Sequence, residues 1–181
     1  MKHNLTFLKC TAIFINLVCL ATSALAQTQP ILWSALRPAD QGLNNALPGM
    51  ATSKTQGETL AWRDEGRLIE LTGFVLPIDL DGDLVYEFML VPRAGACSHI
   101  APPPPNQLVR VVPDQPFRIS RVYEPVTVVG SLRPGLDKAQ LFILDGVRAL
   151  DFGYSMSRAV VLKVTKVLDP DLRATSPFLS R

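Results

Sequence analysis

From residue 67 to 168 the chain reads as short runs of β-branched and apolar residues cut by turn signals, with a period near two and no sustained helical period. Residues 67–76 set Ile69, Leu71, Gly73 and Val75 on one face and Leu68, Glu70, Thr72 and Phe74 on the other, and Pro77 closes the run. The next strand is expected over 85–91, joined through an Asp81-Gly82 hairpin turn. Further strands are expected over 107–112, ending at Pro113, and over 126–132, ending at Arg133-Pro134-Gly135. Residues 141–144 and 147–152 flank a second Asp145-Gly146 turn, and a last strand, 159–168, is stopped by Asp169-Pro170. No helix of three turns is legible here, so the expected class is all-β and antiparallel. Gly73 and Gly130 stand mid-strand, where glycine marks a bulge or a sharp bend. The pattern favours a small five- to six-stranded OB-like barrel over a sandwich.

Outside that region the pattern weakens. Residues 27–66, rich in Pro, Gly, Asn, Thr and Ser, read as an irregular N-terminal arm. Within it Trp33, Leu36 and Leu43 suit a short helix around residues 32–36 lying on the domain, with Pro38 ending it. Leu60 and Trp62 begin the packed part, 67–168 is the barrel domain, and 169–181 is a tail expected to be loose from Asp171 onward. The first 26 residues are different in kind. Lys2 and Lys9 flank a polar stretch, residues 10–26 carry no charge, and Ala24-Leu25-Ala26 suits cleavage, so 1–26 is read as a secretory signal peptide. The uncharged run is short for a lasting anchor and Gln27 to Pro30 follow at once, so no membrane span is expected after cleavage. Asn16-Leu17-Val18 before Cys19 lacks the small residues of a lipoprotein site, which leaves export to the periplasm without a lipid.

Charge removes one class of partner. The chain has 18 basic and 16 acidic residues, and loss of Lys2 and Lys9 with the leader brings the two counts level. A nucleic-acid partner is not expected. Cys10 and Cys19 leave with the leader as well, so Cys97 becomes a lone thiol in an oxidising compartment.

The candidate chemistry gathers in Gly95-Ala96-Cys97-Ser98-His99, followed by Pro102, Pro103, Pro104, Pro105, Asn106 and Gln107. In an extended segment, side chains two apart share a face, so Cys97 and His99 bring a thiolate and an imidazole together. Both are ligands for zinc or copper. A tetrahedral site needs four, so the remainder would come from Asp79, Asp81 or Glu87, from water, or from a partner that receives the metal. A thiol activated by the imidazole is the catalytic alternative, weakened by the lack of a third orienting group. The plainest alternative is a small cysteine and a hydrogen-bonded histidine that pack beneath a loop. The proline run is stiff and without backbone donors, either a brace for this loop or a ligand for an aromatic groove. Asn106 and Gln107 cap that run or touch a ligand. Asp79-Leu80-Asp81-Gly82-Asp83 does not have calcium-loop spacing, since Gly82 falls fourth and Leu90 twelfth, and it reads as a solvated hairpin.

At this motif the chain resembles a bacterial exported family, domain of unknown function 3299. The resemblance rests on Val91-Pro92, Gly95, Ala96, Cys97, His99, Pro102 to Pro105, Asn106 and Gln107, together with Gly73-Phe74-Val75-Leu76-Pro77 and Glu87-Phe88. It covers about residues 67–168, and it departs from the family pattern at Ala101, where a proline is expected. The resemblance implies a periplasmic or lipid-anchored accessory protein, in some genomes beside transporter genes and zinc-responsive clusters, and implies no established activity. The resulting expectation is a non-enzymatic exported protein that binds or hands over zinc or copper, or docks a transporter component or metal chaperone, through Cys97, His99 and the proline loop. A protein-binding module with that loop as epitope is the second reading, and a cysteine-dependent enzyme the third.

Overall fold

A computed structural model of the chain describes residues 28–39, 58–95, 102–143, 146–164 and 169–175. The strands are β1 (Gln29–Pro30), β2 (Leu68–Asp81), β3 (Leu84–Val91), β4 (Val109–Pro113), β5 (Phe117–Arg118), β6 (Pro125–Ile143) and β7 (Gly146–Lys163). Two 3₁₀ turns, Trp33–Leu36 and Pro105–Gln107, and the short helix α1 (Pro170–Thr175) are the helical elements among the described residues.

The seven strands among the described residues form one sheet in the order β1-β2-β6-β7-β4-β3-β5, with β2 also paired to β3. The pairings from β2 through β6, β7, β4 and β3 therefore return to β2. The sheet is mixed, which corrects the antiparallel expectation: β1 runs parallel to β2 and β4 parallel to β7. Alternation reports which face a side chain takes but not the direction of the neighbouring strand, so the pattern held no sign of either parallel pair.

Two local features of the hydrophobic pattern also resolve differently. The run at 126–132 and residues 141–143 of the next belong to one strand, β6, and those at 147–152 and 159–163 to another, β7, while Leu144, Asp145 of the second turn and residues 165–168 of the expected last strand lie outside the described residues. Arg133-Pro134-Gly135 is not a turn; the ladder shifts register between Pro134 and Asp137, and the strand runs on through a bulge. A second shift lies opposite Gly130, where Arg158 takes a left-handed φ of 53° and both neighbouring ladders skip it. The buried positions Phe152, Tyr154 and Met156 precede that bulge and Ala159 follows it, so one extra residue switches the inward phase. Gly73, by contrast, sits in unbroken register with Val126. A Cβ there would lie 2.8 Å from Leu90 Cγ and 3.0 Å from Trp33 Cζ2, so this glycine makes room for Trp33 and marks no bend.

The first hairpin forms as expected, with the turn one residue later: Asp81 pairs Leu84 across Gly82-Asp83. Gly82 has φ 61°, the positive value that a type II′ turn needs at its first central position. The arm's short helix also forms, as the 3₁₀ turn, with Trp33 and Leu36 fully buried. The expectation of a loose tail is corrected for residues 171–175, and 176–181 lie outside the described residues. Leu172 of α1 is fully buried and Asp169 nearly so, because the Asp169-Pro170 pair that stops a strand also suits a helix start, carboxylate at the N-cap and proline after it.

Candidate functional site

Cys97 and His99 lie outside the described residues, as do all of 96–101. The structure does define the two ends between which they fall. On the entry side, β3 ends at fully buried Val91, and Pro92 is buried too. Arg93 follows, its guanidinium held below the ordinary arginine range by burial, and then Gly95 at φ 79°, a left-handed turn position suited to glycine.

On the exit side, Pro103 is buried and Pro104 has φ −63° and ψ 156°, the polyproline conformation expected of the run. Pro105 starts the 3₁₀ turn, and the chain recovers its backbone bonds through Gln107 N–H to Pro104 O (2.8 Å) and Leu108 N–H to Pro105 O (3.1 Å). The turn presses on β7. A Cβ on Gly153 would meet Pro105 O at 2.8 Å, so glycine is what allows the loop backbone to come this close.

Asn106 and Gln107 spend their amides on the protein itself. Asn106, fully buried, donates from Nδ2 to Thr59 O (3.1 Å). Gln107 donates from Nε2 to Trp33 O (3.2 Å) and Asn106 O (2.9 Å), and its Oε1 accepts from Arg37 (3.1 Å). Arg37 also pairs with Asp171 at 3.1 Å, and Trp33 N–H donates to Asp169 Oδ2 at 2.8 Å. The arm, the exit of the proline run and the C-terminal helix thus meet in one hydrogen-bonded cluster. Next to it, Tyr154 Oη donates to Leu36 O (2.8 Å) and accepts from Trp62 N–H (3.1 Å).

The carboxylates named as further ligands are differently placed. Asp79 and Asp81 are exposed at the first hairpin, with Asp79 opposite Glu87 across a register shift. Glu87 is held by Arg110 through two bonds, Nε to Oε1 at 2.6 Å and a second of 3.0 Å, and this pairing raises the arginine's pKa. Asp83, on the same hairpin, pairs with Arg118. Among the described residues no three His, Cys, Asp or Glu side chains converge on a point that could hold a metal ion. The residues that sequence reasoning missed are Arg37, Tyr154, Asp169 and Asp171. Their partners lie 134 (Arg37 to Asp171) and 118 (Tyr154 to Leu36) positions away, and no spacing rule spans such distances.

The profile of a family described as protein of unknown function, DUF3299, matches residues 27–163. No curated protein matches the chain. Among solved structures, the crystal structure of a DUF3299 family protein from Pseudomonas aeruginosa PAO1 is similar, with a TM-score of 0.57 and 25% sequence identity. The alignment covers 78% of this chain and 99% of that one.

Proposed function

The chain belongs to the DUF3299 family of proteins of unknown function, and from that premise we propose that it is an exported, non-enzymatic accessory protein whose Cys97–His99 loop takes up zinc or copper and passes it to a partner. One observation carries the reading: both ends of the loop are anchored. β3 delivers the chain at buried Val91, and the strut from Pro103 to Gln107 is pinned on Gly153, Thr59, Trp33 and Arg37. A thiol and an imidazole two residues apart between such anchors cost little to order when a cation binds them. Two protein ligands leave a Zn²⁺ or copper ion open on its remaining positions, which suits transfer better than storage. The partner in this reading is a periplasmic transporter component or a metal chaperone. Periplasmic placement follows from reading residues 1–26 as a cleaved leader, and an OB-like barrel is the form we assign to the sheet, supported by the return of the pairings to β2.

Metal analysis of the protein purified from its native compartment, beside Cys97→Ser, tests this. Wild type should carry near-stoichiometric zinc or copper and the variant almost none. Equal metal content in the two, or none in either, sinks the metal reading. A protein-binding module with Pro102 to Pro105 as epitope is the second reading, favoured by the engagement of Glu87 with Arg110, which takes one candidate ligand out of play. Under it Cys97→Ser leaves partner binding intact. An enzyme using Cys97 as nucleophile comes third.

A further inference from the structure

The fully or nearly buried polar residues among those described are Asn106, Gln107 and Asp169, and all three belong to the cluster at the exit of the proline run. A buried polar group costs stability unless it is bonded, and apolar contacts could hold an arm against a sheet without that cost. What a directional network adds is one specified placement. Here it joins three segments distant in sequence. Asp169 accepts from Trp33 N–H at 2.8 Å and from Asp171 N–H at 2.9 Å, so one carboxylate both starts α1 and holds the arm. Arg37, with its side chain only 12% exposed, spans from Asp171 to Gln107, and Gln107 is the last residue of the turn that begins at Pro105.

We propose that Arg37, Gln107, Asp169 and Asp171 form a latch by which the N-terminal arm and α1 set the position of the proline strut, residues 102–107, with Arg37 and Asp169 as positioning residues for it. The family match ends at residue 163, so half of this latch is supplied by a segment beyond it. The inference rests on reading the Cys97–His99 loop as the site, but its test does not require metal. When the latch is broken, the arm and strut loosen while the sheet, held by the β6–β7 and β2–β6 ladders, keeps its order.

The test uses the whole chain carrying Asp169→Asn or Arg37→Gln, read by peptide-resolved hydrogen exchange and by the alkylation rate of the Cys97 peptide. The non-proline amides of residues 28–36, 106–108 and 169–172 should exchange about tenfold faster or more, while 126–130 and 159–163 stay as in wild type, since sub-global opening is confined to its own cooperative unit. Cys97 alkylation should change by about threefold or more. Lys138→Gln, which breaks the exposed Lys138–Asp151 pair, should alter none of these. Faster exchange spread evenly over the sheet would mean that the cluster only adds global stability, and an unchanged Cys97 rate would mean that it does not reach the loop; either overturns the proposal. Should Asp169→Asn fail to fold, Arg37→Lys keeps a cation for Asp171 but loses the fork that also reaches Gln107, and must show the same confined pattern more weakly. Wild type that takes up no metal would overturn the site reading while leaving this result to stand or fall alone.

Discussion

Tyr154 shows what a single buried hydroxyl does in this sheet. It is fully buried, donates to Leu36 O and accepts from Trp62 N–H, so it ties both halves of the N-terminal arm to β7. Burial raises its pKa above the ordinary phenol value. The neutral form is the one the fold prefers, so the stability it contributes is complete below the unfolded pKa of about 10 and is lost as pH rises through the higher folded value. Tyr154→Phe should cost about 1–3 kcal/mol at neutral pH, the range for stranding buried partners. It should also flatten the decline in melting temperature between about pH 9 and about pH 11. Thermal denaturation across that range checks both, and an unchanged alkaline decline in the variant would assign the titration to another group. Gly73 makes the opposite kind of point, since a side chain there meets Val91 O at 2.9 Å as well as Leu90 and Trp33. Gly73→Ala should lower stability by about 1–3 kcal/mol, the usual cost of overpacking, as read from the urea midpoint.

β7 is where the hydrophobic pattern and the structure part most clearly. The run over 147–152 is legible as a strand, as is the Ala159-Val160-Val161-Leu162 run after it, but the stretch between them, which carries buried Tyr154 and Met156, looks like a break between elements. The physical cause is one residue, Arg158, in the left-handed region and skipped by β4 and β6 alike. Nothing in an arginine signals such a conformation, whereas a glycine there would have. Arg158→Gly should therefore be neutral or stabilising by up to about 1 kcal/mol. Deleting Arg158 should be far more harmful, because it turns the buried side chains beyond it toward solvent. Urea denaturation of the two variants separates these outcomes, and a deletion tolerated as well as the glycine would show that the bulge does not set the phase. Pro134-Gly135 hid a second bulge behind an apparent turn for the same reason: turn chemistry and bulge chemistry draw on the same residues.

At the scale of the whole molecule, period-two alternation made the all-β class legible, the Asp81-Gly82 signal the first hairpin, and the apolar spacing of Trp33 and Leu36 before Pro38 the arm's short turn. Strand direction, the parallel β4–β7 pair and the clasp of arm, loop exit and C-terminal helix were not, since each is a contact between segments far apart in sequence. The site divides in the same way. The Cys-x-His pair and the proline run stand out by residue type, while the Gly153 seat and the Gln107–Arg37–Asp171 chain that hold the run depend on tertiary packing. The central claim, that this held loop binds a transition metal, predicts a dependence on pH, because both ligands must be deprotonated to bind. An imidazole with an ordinary pKa of about 6.5 is largely protonated at about pH 5.5, and the thiol then holds its proton more completely. Calorimetric titration of the reduced protein with Zn²⁺, and separately with copper, at about pH 7.5 and about pH 5.5 is the most direct measurement. The account predicts one site per chain for at least one of the metals, weaker at the lower pH and nearly abolished by Cys97→Ser or by His99→Ala, with a smaller effect from Asp81→Asn. Wild-type protein that takes up neither metal, or point variants that bind as wild type does, would contradict it.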